Sequence, residues 1–400
     1  MNSKNCWCLL LAFALLFSCQ GRRNGPEPCP VISFTQAELP DFSKYIEKMR
    51  MVWIEPVEGT LFSQPDKILV YKDKLLILDK TLKCVIGMDT SGHFLFRIQR
   101  IGKGPWEYSN LSAMWINHEK EELWLQAYVP RKILVFGLDG TPRREYPIEW
   151  SFDDMAGISE HMIAGFTSLP LADKGKELGA GLYLLGGRGE VKKALLGIGD
   201  DSWYYSLTVK RNLTEWPGGI LLINQSDTIY RITPDGTVVK DFIADFGPSR
   251  LPVKHRLIPY SPELSQVMNQ SDYLIGKDQI LGFGPIRLFK AYLKSQLFYA
   301  YADLSQGTGC YHSLIRTREG PIPILFPECV SDQGDLVGLL NLDAMVVMRE
   351  SLTEPTNDPN GKILYDKLMG ILERGIRNDR PILWIAPIKK EWLTEKNVSK

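Results

Sequence analysis

Asp200-Asp201-Ser202-Trp203-Tyr204-Tyr205 places two carboxylates beside three aromatic rings. Aromatic faces stack on sugar rings while carboxylates bind hydroxyls, and adjacent acids can serve glycoside hydrolysis. Neighbouring acids on one strand or loop point apart, however, whereas an acid–base pair must converge across a cleft. Asp200, Asp201, Trp203, Tyr204 and Tyr205 are therefore candidate ligand-binding residues. Inter-blade packing beside a solvated turn would use the same residues. Trp106, Trp115 and Trp216 are weaker candidates of the same kind.

Other reactive residue types fall into no catalytic pattern. His93, His118, His161, His255 and His312 are scattered one per region, without the paired spacing of a zinc helix. Gly102-Lys103-Gly104-Pro105 lacks the remainder of a phosphate loop, and no Gly-x-Ser-x-Gly elbow occurs. Asp245-Phe246-Gly247 matches a kinase tripeptide, but no His-Arg-Asp segment accompanies it. Cys29, Cys84, Cys310 and Cys329 show no zinc spacing. In an oxidising compartment Cys310 and Cys329 could pair, and two separate buried thiols are the alternative. No catalytic residue, metal or cofactor is expected.

The N-terminus carries an address. Leu9 to Phe17 is an uncharged apolar run after Lys4, too short to span a bilayer and suited to the h-region of a secretory signal. Leu16-Phe17-Ser18-Cys19 resembles the bacterial lipobox, which makes Cys19 the lipidation site and first mature residue. Acyl chains would hold the protein at a membrane surface without a transmembrane helix. Gln20 to Pro30, with Gly21, Gly25, Pro26, Pro28 and Pro30, suits an extended tether.

Composition narrows the partners. Lys plus Arg equals Asp plus Glu at 47 each, so no strong field draws nucleic acid. Hydrophobic residues at 44% supply a large core.

The elements that must position any site repeat along the chain. Gly92, Gly140, Gly189 and Gly236 lie 48, 49 and 47 residues apart, each between short runs of Val, Ile, Leu, Phe and Tyr. Glycine reaches the positive φ of tight hairpins, so each marks a reversal between strands. A period in the high forties accommodates one four-stranded antiparallel sheet, and such sheets in series predict an all-β, six-bladed β-propeller. Residues 1–18 are expected as a lipoprotein signal peptide, 19–40 as tether, 41–392 as propeller and 393–400 as tail. Pro248 to Met268 is expected as an inserted loop, and the sixth unit to start near Ile322. One amphipathic helix over 359–374 interrupts the last blade, with Asp358 as cap, Leu364, Leu368, Ile371 and Leu372 on one face, and Gly375 ending it. Met51-Val52-Trp53-Ile54 is expected to pair with the final strand, Ile382–Ile388, and so close the ring.

Ile101-Gly102-Lys103-Gly104-Pro105-Trp106-Glu107-Tyr108 resembles the Ile-Gly-x-Gly-Pro-Gly-Glu-Tyr segment of the six-bladed β-propeller lipoproteins of Bacteroidota, which are TolB-like or NHL-like propellers. Asp227 to Tyr230 with Ala244 to Gly247, and Asn378 to Pro381 before a terminal strand, resemble that family in order along the chain. Trp106 stands where the family has glycine, and Arg380 where asparagine is common. Gly102, Gly104, Pro105, Glu107 and Tyr108 read as a structural inter-blade loop, locked by hydrogen bonds of Glu107 and Tyr108. The resemblance implies an outer-membrane lipoprotein of the cell envelope. Bacteroidota lipoproteins bound for the cell exterior tend to carry acidic residues just after the cysteine, and Gln20-Gly21-Arg22-Arg23 has none, a resemblance that favours the periplasmic face. The expected function is a membrane-anchored binding or assembly module for a protein or glycan partner. A hydrolase or lyase acting on carbohydrate or peptide, with acids from different blades in the funnel, is the alternative.

Overall fold

The computed structural model describes residues 29–63, 65–197, 211–216, 218–256, 262–313, 315–317, 320–324, 326–352, 354 and 359–393. The signal peptide, Cys19, residues 20–28 of the tether, Asp200, Asp201, Trp203, Tyr204, Tyr205, Asp358 and residues 394–400 lie outside the described residues.

Strands β1 (Val31–Gln36) and β2 (Arg50–Trp53) come first among the described residues. A first antiparallel set follows: β3 (Lys67–Tyr71), β4 (Lys74–Asp79), β5 (Cys84–Asp89) and β6 (Phe94–Ile98). The second is β7 (Asn110–Asn117), β8 (Glu122–Val129), β9 (Lys132–Gly137) and β10 (Pro142–Pro147). The third begins with β11 (Asp154–Ser159) and β12 (Met162–Thr167). A small hairpin, β13 (Leu171–Asp173) with β14 (Lys176–Leu178), then intervenes before β15 (Gly181–Gly186) and β16 (Val191–Gly197). The fourth is β17 (Leu213–Trp216), β18 (Gly219–Leu222), β19 (Thr228–Ile232) and β20 (Val238–Asp245). The segment expected as a loop contains two short helices, α1 (Val253–Arg256) and α2 (Pro262–Gln270). The fifth set is β21 (Ile275–Phe283), β22 (Ile286–Leu293), β23 (Gln296–Asp303) and β24 (Thr308–His312).

Residues near Ile322 do not begin the last set. They form their own hairpin, β25 (Ile315–Thr317) with β26 (Gly320–Ile324). The last set instead combines β27 (Cys329–Val330), β28 (Asp335–Leu340) and β29 (Ile382–Pro387) with β2, in the order β2-β29-β28-β27. Val52 faces Leu383 and Trp53 faces Ile382, so chain from both ends shares one sheet, as the early apolar run suggested.

The recurring glycines sit in the reversal between the third and fourth strands of their sets. Gly92, Gly140, Gly189 and Gly236 take φ of 80 to 87°, a region that costs glycine little and other residues more.

Apolar residues pack between neighbouring sets rather than in one central core. Leu76, Leu78 and Val85 of the first set pack with Met114, Leu123 and Leu134 of the second. On the other side Ile68, Ile77 and Ile86 meet Val337, Leu383 and Ile385 of the last. Each set thus buries both faces against its neighbours, at about 1.5–3 kcal/mol per fully buried large side chain. The first strands follow suit: β3 touches β7, β7 touches β11, β11 touches β17, β17 touches β21, β21 touches β27, and β27 returns to β3. The architecture is propeller-like.

Two expectations are corrected near the C-terminus. Instead of one helix, α3 (Leu342–Ser351) and α4 (Pro359–Asn378) stand between β28 and β29. Asn341 caps α3 by accepting the Ala344 amide at 2.9 Å; its β-branched Val346-Val347 pair hides the helix from a pattern reading. Helix α4 runs past Gly375, whose missing Cβ lets Met345 Sδ approach to where that carbon would be 2.5 Å away. The helix ends instead at Asn378, and Asp379 follows it at φ +48°, with the Arg380 amide donating to the Gly375 carbonyl at 3.0 Å.

The tether is also shorter than expected. Residues 31–36 are β1, paired in parallel with β20 on one side and β24 on the other, which joins the fourth and fifth sets into one nine-stranded sheet. Cys310 and Cys329 are separate free thiols.

Candidate functional site

The first strands of several sets open on polar residues. Asp66-Lys67 precedes Ile68-Leu69-Val70, Arg211-Asn212 precedes Leu213, and Glu328 precedes Cys329-Val330. In β21 the pairing with β22 slips twice around Asp278, and Gln279 adopts φ +50°. Bulges re-aim side chains. Here they turn Asp278 and Gln279 toward Arg211: the Arg211 amide donates to Asp278 Oδ1 at 3.1 Å, and the Gln279 amide to the Arg211 carbonyl at 3.2 Å.

Arg211 and Glu328 form the centre. Arg211 Nη2 lies 2.8 Å from Glu328 Oε2, and Nη1 donates to the Glu328 carbonyl at 3.2 Å. Arg211 Nε donates to the Asp66 carbonyl. Gln279 Nε2 donates to Glu328 Oε2 at 3.0 Å, and its Oε1 accepts from Lys290 Nζ at 2.6 Å. Lys290 Nζ is 3.6 Å from Glu328 Oε1 and 4.9 Å from the Phe326 ring centroid. A second buried pair completes the cluster. Lys67 Nζ lies 3.3 Å from Asp154 Oδ1, and Asp154 Oδ2 accepts the amides of Asn212 and Leu213 at 3.0 and 2.9 Å.

Electrostatics fix the charge states. Burial alone would raise the Glu328 carboxyl, but Lys290 and Arg211 outweigh it and hold it down to about 2. Burial lowers Lys290 despite Glu328 and Asp278 beside it. Burial likewise lowers Lys80, which lies near Asp154 and Asp66. An ionised Glu328 clamped by two cations is an acceptor and orienting group, unsuited to donating a proton near neutrality.

Two cavities flank the Arg211–Glu328 pair, and these two residues line both. One, of 270 Å³, has apolar walls that include Ile68, Val70 and Leu213, and a polar end with His118 and Asp332. There His118 Nε2 lies 3.2 Å from Glu215 Oε2, a bond that raises the imidazole against the opposing effect of burial. The other cavity, of 310 Å³, is lined by Lys290, Tyr292, Tyr299, Phe326 and Asn341. Among the described residues no group of three or more His, Cys, Asp or Glu side chains could hold a metal ion.

Of the ligand-binding candidates the sequence singled out, one lines a cavity at this cluster. The cluster Asp200 to Tyr205 lies outside the described residues. Trp115 is fully buried, and Trp216 lines the smaller cavity beneath Arg287, 4.4 Å from its guanidinium. The loop from Gly102 to Tyr108 joins the first and second sets away from both cavities. Glu107 Oε2 accepts the Gly104 amide at 2.9 Å, and a Cβ on Gly102 would fall 2.0 Å from that oxygen. Tyr108 donates from its hydroxyl to the carbonyls of Lys83 and Ile98, at 3.0 and 3.1 Å. Pro105 is exposed at the loop's tip. Trp106 takes φ +62°, a conformation that glycine adopts at lower cost, and its ring packs on Phe136 at 5.8 Å. Arg211, Gln279, Lys290 and Glu328 form no motif; the legible signal was a polar residue recurring at the head of an apolar first strand.

The chain belongs to the DUF4934 family, a domain of unknown function, whose model matches residues 29–380. It is similar in structure to a protein of Bacteroides fragilis described as exported, with TM-score 0.68 and 16% identity over 90% of this chain and 100% of that one. It also aligns with the RRP9 WD40 repeats at TM-score 0.40 and 12% identity, covering 90% of this chain and 99% of that one. BamB from Moraxella catarrhalis aligns at TM-score 0.37 and 11% identity, over 72% of each chain. The likeness to the Bacteroides fragilis structure is one of fold. No curated protein matches the sequence.

Proposed function

We propose that this DUF4934 chain is an envelope lipoprotein that binds a protein or glycan ligand on the axis of a six-bladed propeller. The observation that carries the reading is convergence at the axis. Arg211, beside the first strand of the fourth set, Gln279 and Lys290 of the fifth, and Glu328, beside the first strand of the last, meet between cavities of 270 and 310 Å³. Concave sites with a few fixed polar groups among apolar walls suit ligand recognition. The circuit of first-strand contacts from β3 back to β3 supports six blades. Cys19 after a short apolar run, and a structural relative described as exported, support a lipid anchor in the envelope. A funnel hydrolase needs an acid able to donate a proton, and Glu328, held to about 2, does not supply one.

Two experiments test this. Palmitate labelling and fractionation should find the wild-type chain acylated and in the membrane pellet, and Cys19→Ala unlabelled and released. The purified protein, screened on a glycan array and against envelope extract, should retain a ligand that Lys290→Met binds roughly tenfold more weakly. Turnover of a substrate that vanishes in Glu328→Gln would instead establish the enzyme reading.

A further inference from the structure

The N-terminal strand is held in an unusual way. β20 and β24 are the outer strands of two different sets, and each would otherwise present an open edge. β1 fills both at once, but only in halves. Val31, Ile32 and Ser33 pair with Ile243, Ala244 and Asp245, while Ser33 to Gln36 pair with Thr308 to Tyr311. The Ile243 amide donates to the Pro30 carbonyl at 2.8 Å, and the Ala37 amide to that of Tyr311 at 3.3 Å. Two side chains anchor the strand: Ile32 is 0% and Phe34 5% exposed, whereas Val31 is 57% exposed. Phe34 sits 4.7 Å from Phe246 and 5.7 Å from Phe289. The receiving wall is shaped for them. A Cβ on Gly309 would fall 2.8 Å from Ile32 Cγ2 and 3.1 Å from Phe34 Cδ1.

We infer that the seam between β20 and β24 is a strand-acceptor site for an extended peptide with bulky apolar side chains two residues apart, and that β1 occupies it as a displaceable internal strand. Strand addition to a free edge gives affinity through the backbone and selectivity through alternate pockets, and this seam offers both. β1 pairs in parallel on each side, with only Ser33 paired to both neighbours. Buried Phe42 and Tyr45 anchor the following segment, so β1 can leave without disturbing β2. The site stands apart from the axis and holds whether or not the axis binds a ligand.

Hydrogen exchange on the full wild-type chain tests the displacement. The Ile243 and Ala37 amides should exchange by local opening, roughly tenfold or more faster than amides within the β22–β23 ladder. Exchange of all of them only through global unfolding would overturn the inference. Binding is tested with the full-length double variant Ile32→Asp, Phe34→Asp and a fluorescent peptide spanning residues 29–37. The folded variant should bind this peptide saturably, roughly tenfold or more tightly than wild type does, and should not bind the peptide with both aspartates. A folded variant that ignores the peptide overturns the proposal; if the variant fails to fold, the exchange result decides.

Discussion

Glu328 sits between Arg211 and Lys290, and this confinement makes the protein's stability depend on acid. Its carboxyl is held at about 2 in the fold against an ordinary value of 4.5. A depressed carboxylate contributes stability that is complete above the unfolded value and lost as pH falls through the folded one. Wild type should therefore lose about 3 kcal/mol between roughly pH 4.5 and pH 2 from this group, read by urea denaturation across that range. Glu328→Gln leaves Arg211 and Lys290 without their shared partner. It should cost roughly 3–5 kcal/mol at neutral pH and flatten that acid limb. An unchanged acid limb in the variant would show that Glu328 is not the group responsible. At this scale the sequence was a poor guide. Arg211 and Glu328 are 117 positions apart, and no local spacing announces that a ring fold will join them. Gln279 was concealed too, because its left-handed backbone in an apolar strand is a tertiary effect.

Turns and helix ends set the precision with which the sheets are placed. Gly102 leaves room for the Glu107 carboxylate, which in turn accepts the Gly104 amide. Gly102→Ala and Glu107→Ala should each cost about 1–2 kcal/mol in thermal or urea unfolding. The double variant should cost little more than either, because both remove the same bond. Additive losses would place the two residues in separate roles. At the end of α4, Asp379 occupies a left-handed position that glycine holds more cheaply. Asp379→Gly should raise stability by about 0.5–1 kcal/mol, and a loss would point to a contact made by the Asp379 side chain. Strands were legible wherever a glycine reversal separated alternating apolar runs, as at Gly92, Gly140, Gly189 and Gly236. Helix α3 and the hairpin β25–β26 were not, since short apolar runs read equally well as either element until their neighbours are known. Gly375 misled for a related reason: it serves the close approach of Met345 rather than the helix end.

The whole molecule depends on β29, the strand between β2 and β28, which ties the two ends of the chain into one sheet. Gly338 of β28 accommodates the Trp384 indole where a Cβ would fall 2.1 Å from its ring. Gly338→Ala should cost more than about 2 kcal/mol, because the displaced indole is large and enclosed. A near-neutral thermal shift would mean that this seam repacks freely. The repeated architecture and the pairing of Met51–Trp53 with the final strand were legible because period and edge protection are properties of the pattern itself. The insertion of β1 between β20 and β24 was not, because Gly- and Pro-rich flanks made the whole leader read as spacer. The central claim, that the axis is where this protein meets its ligand, is tested most directly by photocrosslinking in intact cells. A benzophenone amino acid is placed in lieu of Tyr292, which lines the larger of the two cavities beside Arg211 and Glu328, or of Leu95, which is exposed on β6. The account predicts a discrete adduct from position 292 and none from position 95; an adduct from 95 with none from 292 would contradict it.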